Sequence, residues 1–121
     1  MIGPCKWTRI AALAALMPGA LLANGPAPTG ADIAAALTTH DVIYDGFGWE
    51  RHLGNGRLVS RSVEAPFGQT SVGEWRMEGN ARCLRWSRAM GWACYSVEIE
   101  GETLRFVDEL GNTVTGRLVP R

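Results

Sequence analysis

A chain of 121 residues is long enough for one small domain and short for two. Its 12 basic and 12 acidic side chains give a formal net charge of +0, so the charge balance supports neither a nucleic-acid-binding surface nor a basic membrane-binding patch. With 46% hydrophobic residues, the composition is that of an ordinary globular protein and excludes extended disorder.

The first 23 residues have the order of a secretory signal peptide. Lys6 and Arg9 form a positively charged start, and an apolar stretch covers residues 10–22. That stretch is shorter than the roughly 20 residues of a membrane-spanning helix, and no later stretch is apolar enough to span a bilayer. We therefore expect a periplasmic or secreted protein, cleaved near Ala23, with no membrane span after signal removal. The order of charged and apolar residues disfavours the alternative, a buried N-terminal helix of a cytosolic protein.

The cysteine count indicates a structural disulfide. Cleavage would leave Cys83 and Cys94, an even number that favours a bridge in an oxidising compartment. A turn within residues 87–90 would fold a hairpin in which Cys83 faces Cys94 and Arg82 faces Tyr95. The sequence therefore predicts a Cys83–Cys94 bridge that links two neighbouring strands.

The hairpin that precedes this one supports the same register. A turn at Gly79-Asn80 would put Trp75 opposite Leu84 and Met77 opposite Arg82. Trp75 and Leu84 then lie in one apolar row, as the alternation of a half-buried sheet requires.

Metal and cofactor chemistry has little support in the sequence. A zinc site would have to combine Cys83 and Cys94 with His40 and His52, whose spacing differs from the short ligand pairs of structural zinc sites. The strings C-x-x-C and C-x-x-C-H, which mark redox and haem sites, do not occur. We therefore predict no metal and no cofactor.

Residues 24–121 divide into a tether and one domain. The Pro- and Gly-rich residues 24–30 predict an exposed tether. Thr29 or Asp32 can cap a short helix in which Ile33 and Leu37 lie on one face.

Residues 31–121 then form a single domain that is mainly β. Eight short segments with turn residues between them alternate apolar and polar side chains. They cover residues 41–45, 49–53, 57–62, 71–78, 82–86, 93–100, 103–108 and 113–119. This pattern predicts an antiparallel meander of about eight strands that forms a small barrel or half-barrel, with one short N-terminal helix.

A candidate ligand site depends on the turn at Asn55-Gly56. If this is a two-residue turn, Arg51 pairs with Ser60, and Trp49 and Arg51 share the inward face, with His52 outward. A buried guanidinium is costly unless it is paired.

Two inward arginines would suit an anion. We therefore predict that Arg51 and Arg82, beside Trp49 and Tyr95, bind a small anionic or amphipathic ligand near the barrel mouth. The alternative is that the arginine heads lie in water, or pair with Glu50 or Asp41.

A second candidate is an interaction patch on the outside of the barrel. Arg85 faces Trp92 beside the disulfide, and Trp86 and Arg88 lie at the hairpin tip. Arginine and tryptophan are frequent at protein-binding hot spots, so this patch could bind an unknown protein partner. The alternative is that these side chains shield the bridge. Acidic residues on the same face argue against nucleic acid.

No catalytic residues are predicted. The sequence lacks G-x-S-x-G, H-E-x-x-H and a glycine-rich phosphate loop. Its two imidazoles have structural explanations, since His40 is expected at the end of the helix and His52 on the outside of a hairpin. A small enzyme that uses His40 or His52 remains the weaker alternative.

The segment from residue 72 to residue 111 carries a G-x-W-x-x-x-G…C…W…C-Y pattern. In this pattern, over roughly residues 30–119, the chain resembles small, poorly characterised exported proteins of alphaproteobacteria with a β-barrel-like fold. It is also similar to the periplasmic β-barrel inhibitors of metalloproteases, which combine a tryptophan strand with one disulfide, although its cysteines are placed differently. The second likeness implies a protease inhibitor whose arm would be residues 24–30.

The sequence thus predicts an exported, non-enzymatic binding domain of the cell envelope. A periplasmic protease inhibitor is the first alternative, and a small enzyme is the second.

Overall fold

The computed structural model describes residues 27–63 and 68–121. The predicted signal peptide, residues 1–23, and residues 24–26 of the predicted tether lie outside this range, whereas Gly30, the last residue of the predicted tether, already begins the helix. The elements are α1 (Gly30–Thr39), β1 (His40–Tyr44), β2 (Gly48–His52), β3 (Arg57–Ser62), β4 (Gln69–Glu78), β5 (Ala81–Arg85), β6 (Ala93–Glu100), β7 (Thr103–Val107) and β8 (Thr113–Pro120). Among the described residues, no helix combines the length and apolar character that crossing a bilayer requires.

The eight strands form a closed antiparallel barrel in chain order. Each strand pairs with the next, and β1 pairs with β8, with Val42 opposite Leu118. The predicted eight-stranded meander with one short helix is confirmed, and of the two predicted forms the protein adopts the closed barrel rather than the half-barrel. Closure pairs the backbone of the first and last strands, which would otherwise be edges open to aggregation.

Helix α1 begins with a capping box. The Thr29 hydroxyl accepts a hydrogen bond from the backbone N–H of Asp32, and the Asp32 carboxylate accepts one from the backbone N–H of Thr29. These two bonds satisfy backbone donors that the first helical turn leaves free.

The helix packs across one end of the barrel. Ile33 and Leu37 are fully buried, and Gly30 leaves no room for a Cβ because the carbonyl of Gly79 in the β4–β5 turn lies against it. We call this the closed end. The β1–β2, β5–β6 and β7–β8 loops lie at the opposite, open end.

The apolar core fills the barrel between the helix and the middle of the strands. Its strand residues point inward at every second position. The buried members are Ile33, Leu37, Val42, Leu58, Trp75, Val97, Leu104, Phe106 and Leu118.

The β4–β5 and β5–β6 hairpins have the register predicted from the sequence. Trp75 pairs with Leu84, Arg82 pairs with Tyr95, and Cys83 pairs with Cys94. The Cys83–Cys94 disulfide is present. Because both turns lie where the sequence predicts them, the inward and outward faces of β4, β5 and β6 are also as predicted.

The prediction of a two-residue turn at Asn55-Gly56 is wrong. The N–H of Leu53 donates to the carbonyl of Arg57 and the N–H of Gly56 donates to the carbonyl of Leu53, which makes a three-residue loop. Gly56 has φ +91°, the left-handed conformation that closes such loops after a type I turn.

The extra loop residue shifts the β2–β3 register by one. Arg51 pairs with Val59 rather than Ser60, and His52 pairs with Leu58. Because side chains alternate along a strand, a shift of one residue exchanges the two faces of β2. His52 therefore points inward and Arg51 points outward, which corrects both predictions.

Candidate functional site

The open end of the barrel contains a cavity of about 270 Å³. Its walls are aromatic and aliphatic, and its charged lining residues are Arg82 of β5 and Glu50 of β2. The lining residues are Tyr44, Glu50, Arg82, Leu84, Trp86, Tyr95, Phe106 and Val114. A concave, mostly apolar site with a few converging polar groups is the usual form of a small-molecule site.

Arg82 is the buried cation of this cavity and is only 3% exposed. Its Nη1 donates to Glu50 Oε1 over 3.3 Å and to His52 Nε2 over 3.1 Å. The guanidinium carbon lies 3.8 Å from the centroid of the Phe106 ring and 5.8 Å from that of Tyr95. The charge is thus held by one carboxylate and two aromatic rings, as a buried guanidinium requires.

His52 lies beneath Arg82 and is fully buried. Because Nε2 accepts the arginine N–H, the imidazole is neutral and its proton is on Nδ1. Burial, and then the charges of Arg82 and Arg121, lower the pKa of His52 to about 3. The ring also stands edge-on to Trp75 at 5.0 Å. At neutral pH, His52 therefore adds no charge to the site.

Glu50 receives a second hydrogen bond. The Tyr44 hydroxyl donates to Glu50 Oε1 over 2.7 Å. Burial, and then the neighbouring carboxylate of Glu50, raise the pKa of Tyr44, so the phenol keeps its proton. Glu50 Oε1 therefore accepts from both Tyr44 and Arg82.

Two buried donors of this network have no acceptor. Among the described residues, Arg82 Nε and His52 Nδ1 are the buried side-chain polar atoms without a hydrogen-bond partner. An unsatisfied buried N–H costs free energy, so each such group calls for an explanation. Arg82 lines the cavity, whereas His52 contacts Arg82 without lining the cavity itself.

The structure brings only part of the predicted ligand site together. Arg82 and Tyr95 line the cavity, as predicted. Arg51 is on the outer face, where its Nε and Nη2 each bond Asp41 over 2.8 Å. Trp49 is beside it, 5.9 Å from the guanidinium. The predicted convergence of Arg51 and Arg82 is therefore wrong, because the register shift turns Arg51 away.

The partners of Arg82 were not predicted from the sequence. Glu50 and His52 replace Arg51 and Trp49 on the inward face of β2, and counting three residues in the β2–β3 loop would have found them. Trp86, which we assigned to the outer patch, lines the cavity and also lines the outer groove that contains Glu74, Arg85 and Arg88. Phe106, whose ring lies 3.8 Å from the Arg82 guanidinium carbon, was not predicted as part of the site.

The predicted outer patch is present around Trp92. The guanidinium carbon of Arg85 lies 4.4 Å from the centroid of the Trp92 ring, and that of Arg76, which we had not included, lies 4.2 Å away. Glu74 bonds Arg85 over 2.7 Å. Arg88 is largely exposed and lies 3.7 Å from Glu74. The arginines around Trp92 are thus occupied within the protein, which favours the shielding role over a contact patch.

Other candidates offer less chemistry. Larger grooves of about 540 Å³ and 470 Å³ lie along β1 and β8 and beside Trp92, and their walls include many exposed side chains. In the described part of the chain, Glu78, Cys83 and Cys94 form a group with the spacing of metal ligands. The two sulfurs are bonded to each other, so they are not available as thiolate ligands.

Neither histidine contacts a carboxylate in the residues that the structure describes. His40 ends α1, as predicted, and its Nδ1 lies 3.1 Å from the Ala36 carbonyl and 2.9 Å from the Thr39 hydroxyl. His52 contacts Arg82 instead. The enzyme alternative stays a prediction that this geometry does not favour. The inhibitor alternative, with residues 24–30 as its arm, also stays a prediction; residues 24–26 are outside the described residues, and Thr29 and Gly30 cap and begin α1.

The open end differs from the closed end in its loop chemistry. Each fully described loop at the open end carries one exposed large apolar side chain, namely Phe47, Met90 or Leu110. The turns at the closed end have only glycine, asparagine and glutamate at their tips. The exposed apolar groups therefore surround the end that holds the cavity.

No family model matches this chain, and neither the curated proteins nor the solved structures include a match. The resemblances found in the sequence therefore stay predictions, and any functional conclusion must come from the site itself.

Proposed function

We propose that this chain is a non-enzymatic binding domain, exported to the cell envelope, that takes up a small amphipathic ligand in the open end of its barrel. The observation that carries the proposal is the cavity at that end, in which Arg82 is buried among aromatic side chains with Nε unpaired. Such a site offers apolar burial and one polar anchor, and both are needed to bind an amphiphile.

Export is supported by the signal-like residues 1–23 and by the Cys83–Cys94 disulfide. Disulfides persist in oxidising compartments and are rare in the cytosol. Phe47, Met90 and Leu110 expose apolar side chains in the loops of the open end, which supports this end as the face through which the ligand enters.

The two-arginine anion site that we predicted from the sequence is not part of this proposal. Only Arg82 lines the cavity, and Glu50 balances its charge. Arg51 is engaged with Asp41 on the outer face.

Blocking the mouth tests the proposal. Val114 lines the cavity and is about half exposed, so Val114→Trp would fill the opening without entering the core. Val72 has similar exposure on the outer face of β4, which makes Val72→Trp the matched control.

Native mass spectrometry of the three proteins purified from the periplasm is the measurement. We expect a retained small molecule in the wild type and in Val72→Trp, and its loss in Val114→Trp. Equal retention in Val114→Trp would contradict a site at the mouth. A wild type that retains no small molecule and binds no added amphiphile would contradict the function.

A further inference from the structure

We infer that the cavity selects an uncharged amphiphile whose polar group accepts a hydrogen bond, such as a ketone, ester or amide with a short alkyl chain. This inference rests on the proposed function, because it names the chemical class of the ligand. It follows from the charge balance of the cavity, from its unpaired donors and from its apolar walls.

The ionisable groups of the cavity already balance one another. Arg82 carries one positive charge and Glu50 carries one negative charge, with 3.3 Å between Nη1 and Oε1. His52 is neutral because its Nε2 accepts a hydrogen bond from Arg82. An anionic or cationic ligand would therefore bring an uncompensated charge into a site whose charged side chains are largely buried, which is costly.

The hydrogen-bonding capacity of the network is unbalanced in one direction. Arg82 Nε and His52 Nδ1 are buried donors without acceptors. In the described residues, no buried side-chain acceptor is left unpaired, since Glu50 Oε1 accepts from Tyr44 and from Arg82. A ligand acceptor beside Arg82 would give Arg82 Nε a partner, whereas a ligand that only donates would leave it unpaired.

The remaining walls suit an alkyl chain. Leu84, Trp86, Tyr95 and Phe106 present apolar surface around the guanidinium, and Val114 lies at the rim. A volume of about 270 Å³ is at the small end of ligand sites, which suits a short chain with one polar group.

Three eight-carbon probes separate the possible ligand charges. At pH 7, 2-octanone is neutral and only accepts hydrogen bonds, octanoate is an anion, and octylammonium is a cation that only donates. Isothermal titration calorimetry of each probe with the whole protein gives the affinities. We expect 2-octanone to bind at least ten-fold more tightly than either ion.

A pair of variants assigns the selectivity to the buried ion pair. The double substitution Arg82→Met with Glu50→Gln removes the arginine donor and keeps the cavity neutral. Arg105→Met with Glu98→Gln removes a similar pair, with a contact of 3.1 Å, from the outer surface. We expect the first variant to bind 2-octanone at least five-fold more weakly than the wild type, and the second to bind it equally well. Near-ultraviolet circular dichroism verifies that both variants are folded.

The outcomes separate this inference from the proposed function. Tighter binding of octanoate or octylammonium than of 2-octanone would overturn the inference and leave a ligand-binding function standing. Unchanged 2-octanone affinity in the Arg82→Met, Glu50→Gln variant would overturn the role of Arg82 in selection. If none of the three probes binds, the cavity is not a ligand site, and the proposed function is contradicted as well.

Discussion

Arg82 shows how a charge can be kept inside a small barrel. Its guanidinium is paired with Glu50, bonded to His52 and packed on Phe106, so every neighbour compensates part of the cost of removing it from water. Tyr44 in turn holds Glu50 in position by donating to the same carboxylate oxygen. The network therefore depends on each member, and removing one partner leaves another buried without compensation.

Removing Arg82 alone is expected to be strongly destabilising. Arg82→Met leaves the Glu50 carboxylate, whose side chain is only 12% exposed, without its cation. Breaking a buried pair in this way costs about 3–5 kcal/mol of unfolding free energy. Urea denaturation of Arg82→Met, Glu50→Gln and the double variant measures the effect, and the double variant should be clearly more stable than Arg82→Met. Equal stability of the two would contradict the claim that Arg82→Met leaves a buried carboxylate without compensation.

His52 makes stability depend on pH in a defined window. Its folded-state pKa is about 3, against 6.5 for the unperturbed group, so the unfolded chain binds the proton first as the pH falls. The stabilisation is complete above about pH 6.5 and is lost as the pH falls toward 3, with a slope of at most about 1.4 kcal/mol per unit.

The His52→Gln variant isolates this effect. We expect the wild type to lose more unfolding free energy than His52→Gln between pH 6.5 and pH 4.5, as measured by urea denaturation at each pH. All other titratable groups are the same in the two proteins, so the difference between their profiles reports on His52. Parallel pH profiles would mean that His52 is not buried as a neutral group.

At the scale of elements, the β4–β5 and β5–β6 hairpins could be predicted from the sequence, whereas the β2–β3 hairpin could not. The register around Cys83 and Cys94 followed from alternation, because the apolar row that includes Trp75 and Leu84 agrees with the cysteine pairing. Several independent signals fixed the same register. The fold class followed in the same way, from eight alternating segments.

The β2–β3 hairpin offered no such agreement. Asn55-Gly56 fits a two-residue turn as well as the last two positions of a three-residue loop, and the choice between them depends on backbone hydrogen bonds that the sequence does not display. β2 is also partly buried along most of its length, which weakens the alternation that would reveal its inward face. Because the predicted β2–β3 register was wrong by one residue, Glu50 and His52 were not recognised as the partners of Arg82.

Helix α1 contributes stability by covering the closed end. Leu37 is fully buried, so Leu37→Ala should lower the unfolding free energy by about 2–5 kcal/mol through lost burial and a residual cavity. Ala35 is exposed on the same helix, and Ala35→Ser should change it by less than about 1 kcal/mol. Chemical denaturation compares the two. A similar small loss for both would mean that the helix does not pack on the barrel in solution.

The disulfide links β5 to β6 over a separation of 11 residues. Replacing both cysteines by alanine in Cys83→Ala, Cys94→Ala should destabilise the protein by about 2–3 kcal/mol, because a bridge over a short loop restricts the unfolded chain. Thermal unfolding of the oxidised wild type and the variant tests this. If reduction of the wild type leaves its unfolding temperature unchanged, the bridge has no stabilising role.

On the scale of the whole molecule, the two ends of the barrel have different tasks. The closed end is sealed by α1, whose apolar side chains Ile33 and Leu37 are fully buried. The open end keeps a cavity above a buried polar network, with exposed apolar side chains in the surrounding loops. A closed barrel can hold a ligand in this way because its strands stay paired whether or not the site is filled.

The most direct test of ligand uptake at Arg82 is the nuclear magnetic resonance signal of its Nε–H group during titration with 2-octanone. We expect this signal to shift with increasing ligand, while the Nε–H signal of Arg105 on the outer surface does not change. A protein that becomes saturated with 2-octanone while the Arg82 signal stays in place would contradict ligand uptake at Arg82.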